Sequence, residues 1–428
     1  MANSKQEKSN VDIKKVLIRG ANGDEVDLRY VLQELVVYED MFAPAMTGTL
    51  FVEDAHNIAE SLPIIGGEEV EIEFTTHNSN NSDHNFSKTF VVYDITEYTL
   101  SETLQSARYI LQLTTPEYLD NLKRKLRRSY GTEANPERAS DIVTKIMTKT
   151  LGVAPSHLQV DKSRFDRNIV CAGWTPYQTI YYLANSDVLD SGIQNTDKDS
   201  TFLFFEDRFG FKFVGWSTVL ENRLHANKTI EILNYRPELK ENIHSTRKVD
   251  MARVLNFVFD RCTNEIDNTR GSVYSSKTVY HDLIKKTVKT VNFNYNDVFD
   301  VIAHVELKAN AKPLREDRTT LETETLFYSP NEYHYENDTK TKGKWRQILQ
   351  SRVQQFENYV IYADVVGNTA HKLGSVYQFD LPSIIRKQKK MEYHTDLSGK
   401  YVVTKIKYRI AFNDLVQTLE LRKGVRKK

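Results

Sequence analysis

Between Glu69 and Phe74 acidic and apolar residues alternate without a break, Val70, Ile72 and Phe74 against Glu69, Glu71 and Glu73. A period of two predicts a β-strand with one face in a core and the other face acidic. Similar runs surround it. Val16-Leu17-Ile18-Arg19 leads into Ala21-Asn22-Gly23-Asp24, where Asn-Gly favours the positive φ angles of a tight hairpin turn. The chain returns through Leu28 to Tyr38, and Thr49-Leu50-Phe51-Val52 adds another strand. Asn57 to Leu62 has room for one helical turn, closed by Pro63 and a loop at Gly66-Gly67. After a polar loop from Asn78 to Asn85, two longer strands run to Thr115. These elements predict an all-β unit over 16–115, a small barrel or sandwich, behind a polar arm over 1–15.

The period then lengthens to that of a helix. Thr115-Pro116 carries N-cap and N1 residue types, with Leu119, Leu122 and Leu126 as an apolar stripe. Asn135-Pro136 opens a second helix, with Ala139, Ile142, Val143, Ile146 and Met147 at helical spacing and Gly152 as its C′ residue. Thr175-Pro176 opens a third, in which Gln178 at N3 completes a capping box. These helices fill a segment over 116–200. Alternation resumes in Phe202-Leu203-Phe204-Phe205 and Phe211-Lys212-Phe213-Val214, which predict an aromatic hairpin turning at Glu206 to Gly210. Beyond it lies mixed pattern over 247–344: a strand at Val254 to Phe259, a turn near Gly271, and a polar, loop-like stretch from Glu332 to Lys344. A helix from Trp345 to Phe356, with Ile348, Leu349 and Val353 on one side, leads into a strand at Val360 to Val365.

The β pattern of the first unit comes back near the end. Phe90-Val91-Val92 with Ile95, followed by Leu111-Gln112-Leu113, matches Tyr401-Val402-Val403 with Ile406, followed by Leu419-Glu420-Leu421. Upstream, Glu69 to Phe74 matches Ser375 to Asp380. The expected fold is therefore β-rich α+β and multidomain, with two like β domains, each a small barrel or sandwich. The first is 16–115 and the second is read as discontinuous, 201–246 with 345–422, interrupted by the mixed insert and followed by a basic tail at 423–428; continuous domains are the alternative. Two like domains per chain turn a three-chain ring into six similar positions.

Composition adds constraints. Cys171 and Cys262 are the chain's 2 cysteines, too few for a disulfide framework and without metal-ligand spacing. The first ten residues have no apolar h-region, and no apolar run nears the roughly 18 residues of a membrane span, so neither secretion nor membrane insertion is expected. Net charge is zero, yet Ala21 to Thr76 holds thirteen acids and one base, whereas Ser383 to Lys428 holds thirteen bases and four acids. That split suits joining of unlike ends.

Signs of catalysis are weak. The 11 histidines include no His-x-x-x-His pair on a predicted helix. Asp190, Asp197 and Asp199 crowd one loop without the glycine-centred pattern of a calcium site. Gly20-Ala21-Asn22-Gly23 precedes no helix that would make it a phosphate cradle, and no Gly-x-Ser-x-Gly elbow occurs. No metal, cofactor or catalytic residue is expected. Two basic runs, Lys123 to Arg128 and Arg422 to Lys428, have the composition for phosphate contact, but the first decorates a predicted amphipathic helix, for which a solvated or protein-docking face is favoured.

Several stretches together resemble the central baseplate hub proteins of contractile phage tails and related injection machines. Tyr38-Glu39-Asp40-Met41-Phe42, Thr47-Gly48-Thr49 and Leu62-Pro63-Ile64-Ile65-Gly66-Gly67-Glu68 are similar to that family's opening barrel. Trp174-Thr175-Pro176-Tyr177, then Phe202-Leu203-Phe204-Phe205-Glu206-Asp207 and Gly210-Phe211, resemble its central segment. Gly271-Ser272-Val273-Tyr274 resembles a motif of the insert, and Leu381-Pro382-Ser383 with Leu397 to Val403, including Gly399, resembles the closing barrel. The likeness spans Val16 to Leu421. It marks Pro63, Gly66, Trp174, Pro176, Phe204, Phe205, Gly210, Phe211, Pro382 and Gly399 as structural motif residues.

The resemblance implies two tail-tube-like barrels per chain in a homotrimer with pseudo-sixfold symmetry. Such a ring adapts a sixfold tail tube protein to a threefold central spike protein, touches neighbouring baseplate wedge proteins, and leaves a channel for DNA in transit. The protein is then made in the host cytoplasm and resides in the virion tail. Contacts at Asn78 to Asn85 and after Glu332 depart from the family and are not carried over. On this reading Glu69, Glu71 and Glu73 line the channel, where like charge keeps DNA from sticking, or face another subunit. The alternatives are a tail-associated cell-wall hydrolase and a nucleic-acid-binding module. Neither explains the duplication.

Overall fold

The computed structural model describes residues 11–425 apart from 77–84, 104, 133–134, 164–165, 168, 186–201, 221–223, 225–230, 236–252, 263, 283–285, 299–324, 329–338, 384–392 and 395–396. The expected loop at Asn78 to Asn85 apart from Asn85 itself, the aspartates 190, 197 and 199, and most of the polar stretch after Glu332 thus lie outside the described residues. In the first unit the alternating segments form β1 (Val11–Arg19), β2 (Glu25–Asp27), β3 (Leu32–Asp40), β4 (Thr47–Asp54), β5 (Glu69–Thr76), β6 (Phe86–Leu100) and β7 (Ala107–Thr114), with one turn of helix, α1 (Ile58–Ser61). They pair antiparallel in the order β2-β1-β5-β6-β7-β4-β3. Gly23 takes φ +85° in the β1–β2 turn, as Asn-Gly requires. The strand before it begins at Val11, not Val16, because Val11, opposite Thr76, already has a place in the core. Val70, Ile72 and Phe74 are buried and the glutamates between them face outward.

The helical segment departs from its pattern in one place. Helix α2 (Pro116–Lys123) ends before Leu126, which instead begins β8 (Leu126–Tyr130) and is buried, while Leu122 is 52% exposed. The basic run Lys123 to Arg128 therefore straddles a helix end and a strand. Next come β9 (Glu137–Arg138), α3 (Ala139–Lys145) continuing as a wider turn to Thr150, β10 (Leu158–Val160), β11 (Asp166–Arg167), β12 (Ile169–Trp174) and α4 (Pro176–Ala184). β8 pairs with β12 and β9 with β11. Thr175 and Gln178 form both bonds of the capping box.

The aromatic hairpin, β13 (Phe202–Asp207) and β14 (Gly210–Gly215), joins β10 in a sheet of its own rather than opening the second barrel. Phe202, Phe204, Phe211 and Phe213 pack with Ile142, Ile146 and Ile180, whereas Phe205 and Val214 face the barrel core. Both faces are apolar, so alternation alone does not say which neighbour each face meets.

After α5 (Trp216–Leu220) come β15 (Glu231–Tyr235), β16 (Arg253–Cys262), α6 (Glu265–Arg270), β17 (Ser275–Asp282), β18 (Thr287–Asn294), α7 (Tyr295–Val298), β19 (Thr325–Tyr328), α8 (Thr339–Phe356), β20 (Tyr359–Val366), β21 (Val376–Asp380), β22 (Gly399–Ala411) and β23 (Asp414–Val425). The second barrel closes in the order β15-β21-β22-β23-β20-β16 and back to β15. Its member β16 covers Val254 to Phe259, which the pattern places in the insert. What remains of the insert is the sheet β18-β17-β19, with a small core in which Val273, Tyr274, Phe293 and Tyr295 meet Ile348 of α8. That helix starts at Thr339, inside the stretch expected to be loop.

The repeat holds at the level of register. Val92 lies opposite Leu113 and Ile95 opposite Leu111, as Val403 lies opposite Leu421 and Ile406 opposite Leu419. Each long strand bulges at the same place, between Val92 and Asp94 and between Val403 and Lys405. A second bulge also recurs, between Leu32 and Glu34 in β3 and between Val254 and Asn256 in β16. Strands β5-β6-β7-β4-β3 thus correspond to β21-β22-β23-β20-β16. Only the upstream strand needs correction: Val70 faces Phe90 and Tyr377 faces Tyr401, so Tyr377, not Val376, matches Val70. A slip of one residue exchanges the two faces of a strand.

Candidate interaction faces

Three surfaces and junctions follow from this architecture. The first is the joint between barrels, where β3 pairs with β22 from Asp40 opposite Lys405 to Glu34 opposite Ala411. Acids of the first barrel meet bases of the second: the Arg409 guanidinium donates to both Glu34 oxygens at 2.9 and 3.0 Å, and Lys405 Nζ lies 3.1 Å from Asp40. Arg409 holds the Glu34 carboxyl below the usual carboxylate range. The uneven charge of the two ends is used here, within one chain.

The second is a buried ionic junction at the tip of the aromatic hairpin. Glu206 is fully buried, with Lys88 Nζ of β6 at 2.6 Å; Thr115 Oγ1 donates to it at 2.7 Å and the Met46 N–H at 3.2 Å. Asp207 accepts from Phe209 N–H and pairs with Lys212 at 3.2 Å. The Arg208 N–H donates to Glu39 of β3, whose other oxygen accepts from Tyr408 OH of β22 at 2.7 Å. Burial pushes the Glu39 carboxyl up to about 7, against the pull of Arg208. Burial likewise lowers His371 to about 4, and its Nδ1 sits 2.7 Å from Tyr377 OH. Sequence reading missed Glu39, Lys88, Tyr408 and His371, and took Glu206 to Arg208 for an ordinary turn, because charged residues at hairpin turns are usually solvated.

The third is the outer face of β5. Arg19 of β1 lies 3.5 Å from Glu69 and 3.6 Å from Glu71, Lys14 lies 3.8 Å from Glu73, and Lys15 bonds Glu71 and holds its carboxyl low. The stripe is therefore a mixed-charge surface, not a bare negative one.

The motif residues fall into distinct roles. Gly66 takes φ +106° beside Pro63, and the N–H groups of Ile65 and Gly66 donate to the buried Glu68. Trp174 packs on Tyr182, and Pro176 sits at N1 of α4. Phe204 and Phe211 stack at 6.1 Å around Tyr177, Phe205 faces the barrel, and Gly210 closes the hairpin against His157. Pro382 bridges to Tyr393, and Gly399 starts β22 at φ +147°. They are spread over the chain and form no common cleft. Among the described residues no group of His, Cys, Asp and Glu could hold a metal ion, and no helix is long and apolar enough to cross a membrane.

No family model matches the chain. It is 21% identical over 421 residues, 96% of its length and 94% of the relative's, to a probable baseplate hub protein, gp334, of Vibrio phage KVP40. Among solved structures it is similar to the 43 kDa tail protein of prophage MuSo2 from Shewanella oneidensis, with a TM-score of 0.56 at 11% identity over 96% of this chain and 98% of that one. The fold is that of phage tail proteins. A tail protein from Neisseria meningitidis gives a TM-score of 0.52 at 9% identity, covering 96% and 97% of the two chains. The VgrG complex with PdpA from Francisella also gives 0.52, at 11% identity, with 98% of this chain aligned to 58% of that one. The motif resemblance and the Vibrio phage relative agree on baseplate hub proteins, and the solved structures agree on the fold.

Proposed function

We propose that the protein is a structural hub of a phage tail baseplate and that three copies form a pseudo-sixfold ring joining the sixfold tail tube to the threefold spike. The observation that carries this reading is the register-for-register repeat, together with the β3–β22 joint that fastens one copy of the unit to the other. Two equivalent barrels side by side give each chain one third of a six-position ring. The partners are a tube protein on one side, a spike protein on the other and wedge proteins around the rim. DNA passes through the centre, and no catalytic role is assigned. Light scattering with negative-stain imaging of the purified chain should give three copies in a ring with a central opening. A monomer or a ring of another order would end this reading.

The face at Glu69, Glu71 and Glu73 is proposed to border the channel or a neighbouring subunit. Its charge is already offset by Lys14, Lys15 and Arg19, so replacing all three glutamates by lysine creates a strongly basic patch. Such particles should eject DNA more slowly if the face lines the channel. Unchanged ejection kinetics would assign it to the subunit contact or the outer surface.

A further inference from the structure

The internal joint has an unfilled twin. Within the chain β3 pairs with the far half of β22, beyond the part that β21 covers. In the repeat, β16 takes the place of β3 and β6 that of β22. The far half of β6, Asp94 to Leu100, pairs with β7 on one side, and no described strand covers its other edge. Likewise β16 pairs with β20, and β15 covers its other edge only at Arg253 and Val254. Both free edges lack the lysines and prolines that commonly blunt such edges. They also leave apolar side chains in water: Tyr98 50%, Leu100 61%, Leu255 41% and Val258 58% exposed.

We infer that the free edge of β6 in one copy pairs antiparallel with the free edge of β16 in the next, repeating between chains the joint seen within one. This rests on the ring reading above and names the surfaces that close it. The decisive detail is an insertion in each strand. In the internal joint Tyr38 faces Lys407, Val37 faces Tyr408 and Val36 faces Arg409. The counterparts are Arg261 with Thr96 at one end and Val258 with Thr99 at the other. Between them β16 carries Phe259 and Asp260 where β3 has Val37 alone, and β6 carries Glu97 and Tyr98 where β22 has Tyr408 alone. An extra residue in one strand would break the ladder. One in each, at the same point, restores it.

The resulting register sets Thr96 against Arg261, Glu97 against Asp260, Tyr98 against Phe259, Thr99 against Val258 and Leu100 against Phe257. Thr99 and Asn256 stand where the internal joint has Arg409 and Glu34, so the seam rests on backbone pairing and apolar side chains. Glu97 opposite Asp260 is its one like-charged pair and opposes it modestly.

A disulfide across directly opposed strand residues tests the register, since their Cβ atoms come within bridging distance. In a Cys262→Ser background, full-length chain carrying Thr99→Cys and Val258→Cys is oxidised and run without reductant. Covalent dimers and trimers should form and collapse on reduction, while either single variant stays uncrosslinked. Thr99→Cys with Asp260→Cys, which is out of register, should crosslink far less. Three-copy rings by light scattering without crosslinks in the Thr99/Val258 variant would overturn the seam and leave the ring standing. Equal crosslinking of the out-of-register pair would overturn the register. A chain that is monomeric throughout would overturn both the seam and the ring.

Discussion

Replacing Glu206 with alanine should destabilise the folded chain by about 3–5 kcal/mol, the usual cost of removing one partner of a buried ion pair. Glu206 lies in the hairpin and Lys88 in the first barrel, so the pair ties the two together at 2.6 Å, with the carboxylate fully buried. Loss of the carboxylate strands the Lys88 ammonium, 15% exposed, and leaves Thr115 Oγ1 and the Met46 N–H without their acceptor. Burial lowers the Lys88 ammonium's affinity for its proton, but Glu206 outweighs it and raises the folded value above 10.5. The sign follows: the Lys88 contribution is present below 10.5 while Glu206 keeps its charge and fades as the pH climbs through the raised folded value, and because burial raises the Glu206 carboxyl the pair is also lost in acid as that group takes up its proton. Thermal or denaturant unfolding of the variant measures the loss. The double variant Glu206→Leu with Lys88→Met should recover much of it, because an apolar pair of similar volume has no charge to strand. An unchanged midpoint in Glu206→Ala would show that the junction contributes nothing to stability.

Which elements are legible in the sequence has a physical origin. Val70, Ile72 and Phe74 announce their strand because one face is buried and the other wet, and the same asymmetry makes the repeat visible in Val92, Ile95, Val403 and Ile406. Where both faces are covered, as in Phe202 to Phe213, the period survives but the neighbour is not encoded in it. The pattern places β16 in the insert because its pairing with β20 spans about a hundred positions of chain, and local pattern carries no information about partners so distant. Leu126 continued a helical spacing that the chain abandons at Lys123, where pairing with β12 prevails. The buried charges were the least legible. Glu39, Lys88 and Glu206 look like surface residues until the fold brings their counter-charges together.

The second large effect is expected at Gly210, a motif residue whose role becomes plain in the hairpin. A Cβ there would lie 2.1 Å from the His157 carbonyl oxygen and 2.7 Å from its carbon, and the residue holds φ +131°. Both obstacles are backbone, so no side chain can swing aside. Nor can the backbone retreat freely, since β10 begins at the next residue, Leu158, already opposite Phe211. Gly210→Ala should therefore cost at least about 3 kcal/mol from strain and clash combined, detach β10 from β14 and loosen Phe211 from Tyr177. Amide hydrogen exchange at Leu158 to Val160 should accelerate, and the thermal midpoint should fall. Gly23→Ala supplies the comparison, because Gly23 has φ +85° but nothing within 4 Å of its Cβ position, leaving conformational strain of about 1–2 kcal/mol alone. The difference between the two variants isolates the close approach of His157. If Gly210→Ala proved no worse than Gly23→Ala, glycine would stand at the hairpin for its backbone angle and not for the space it leaves to β10.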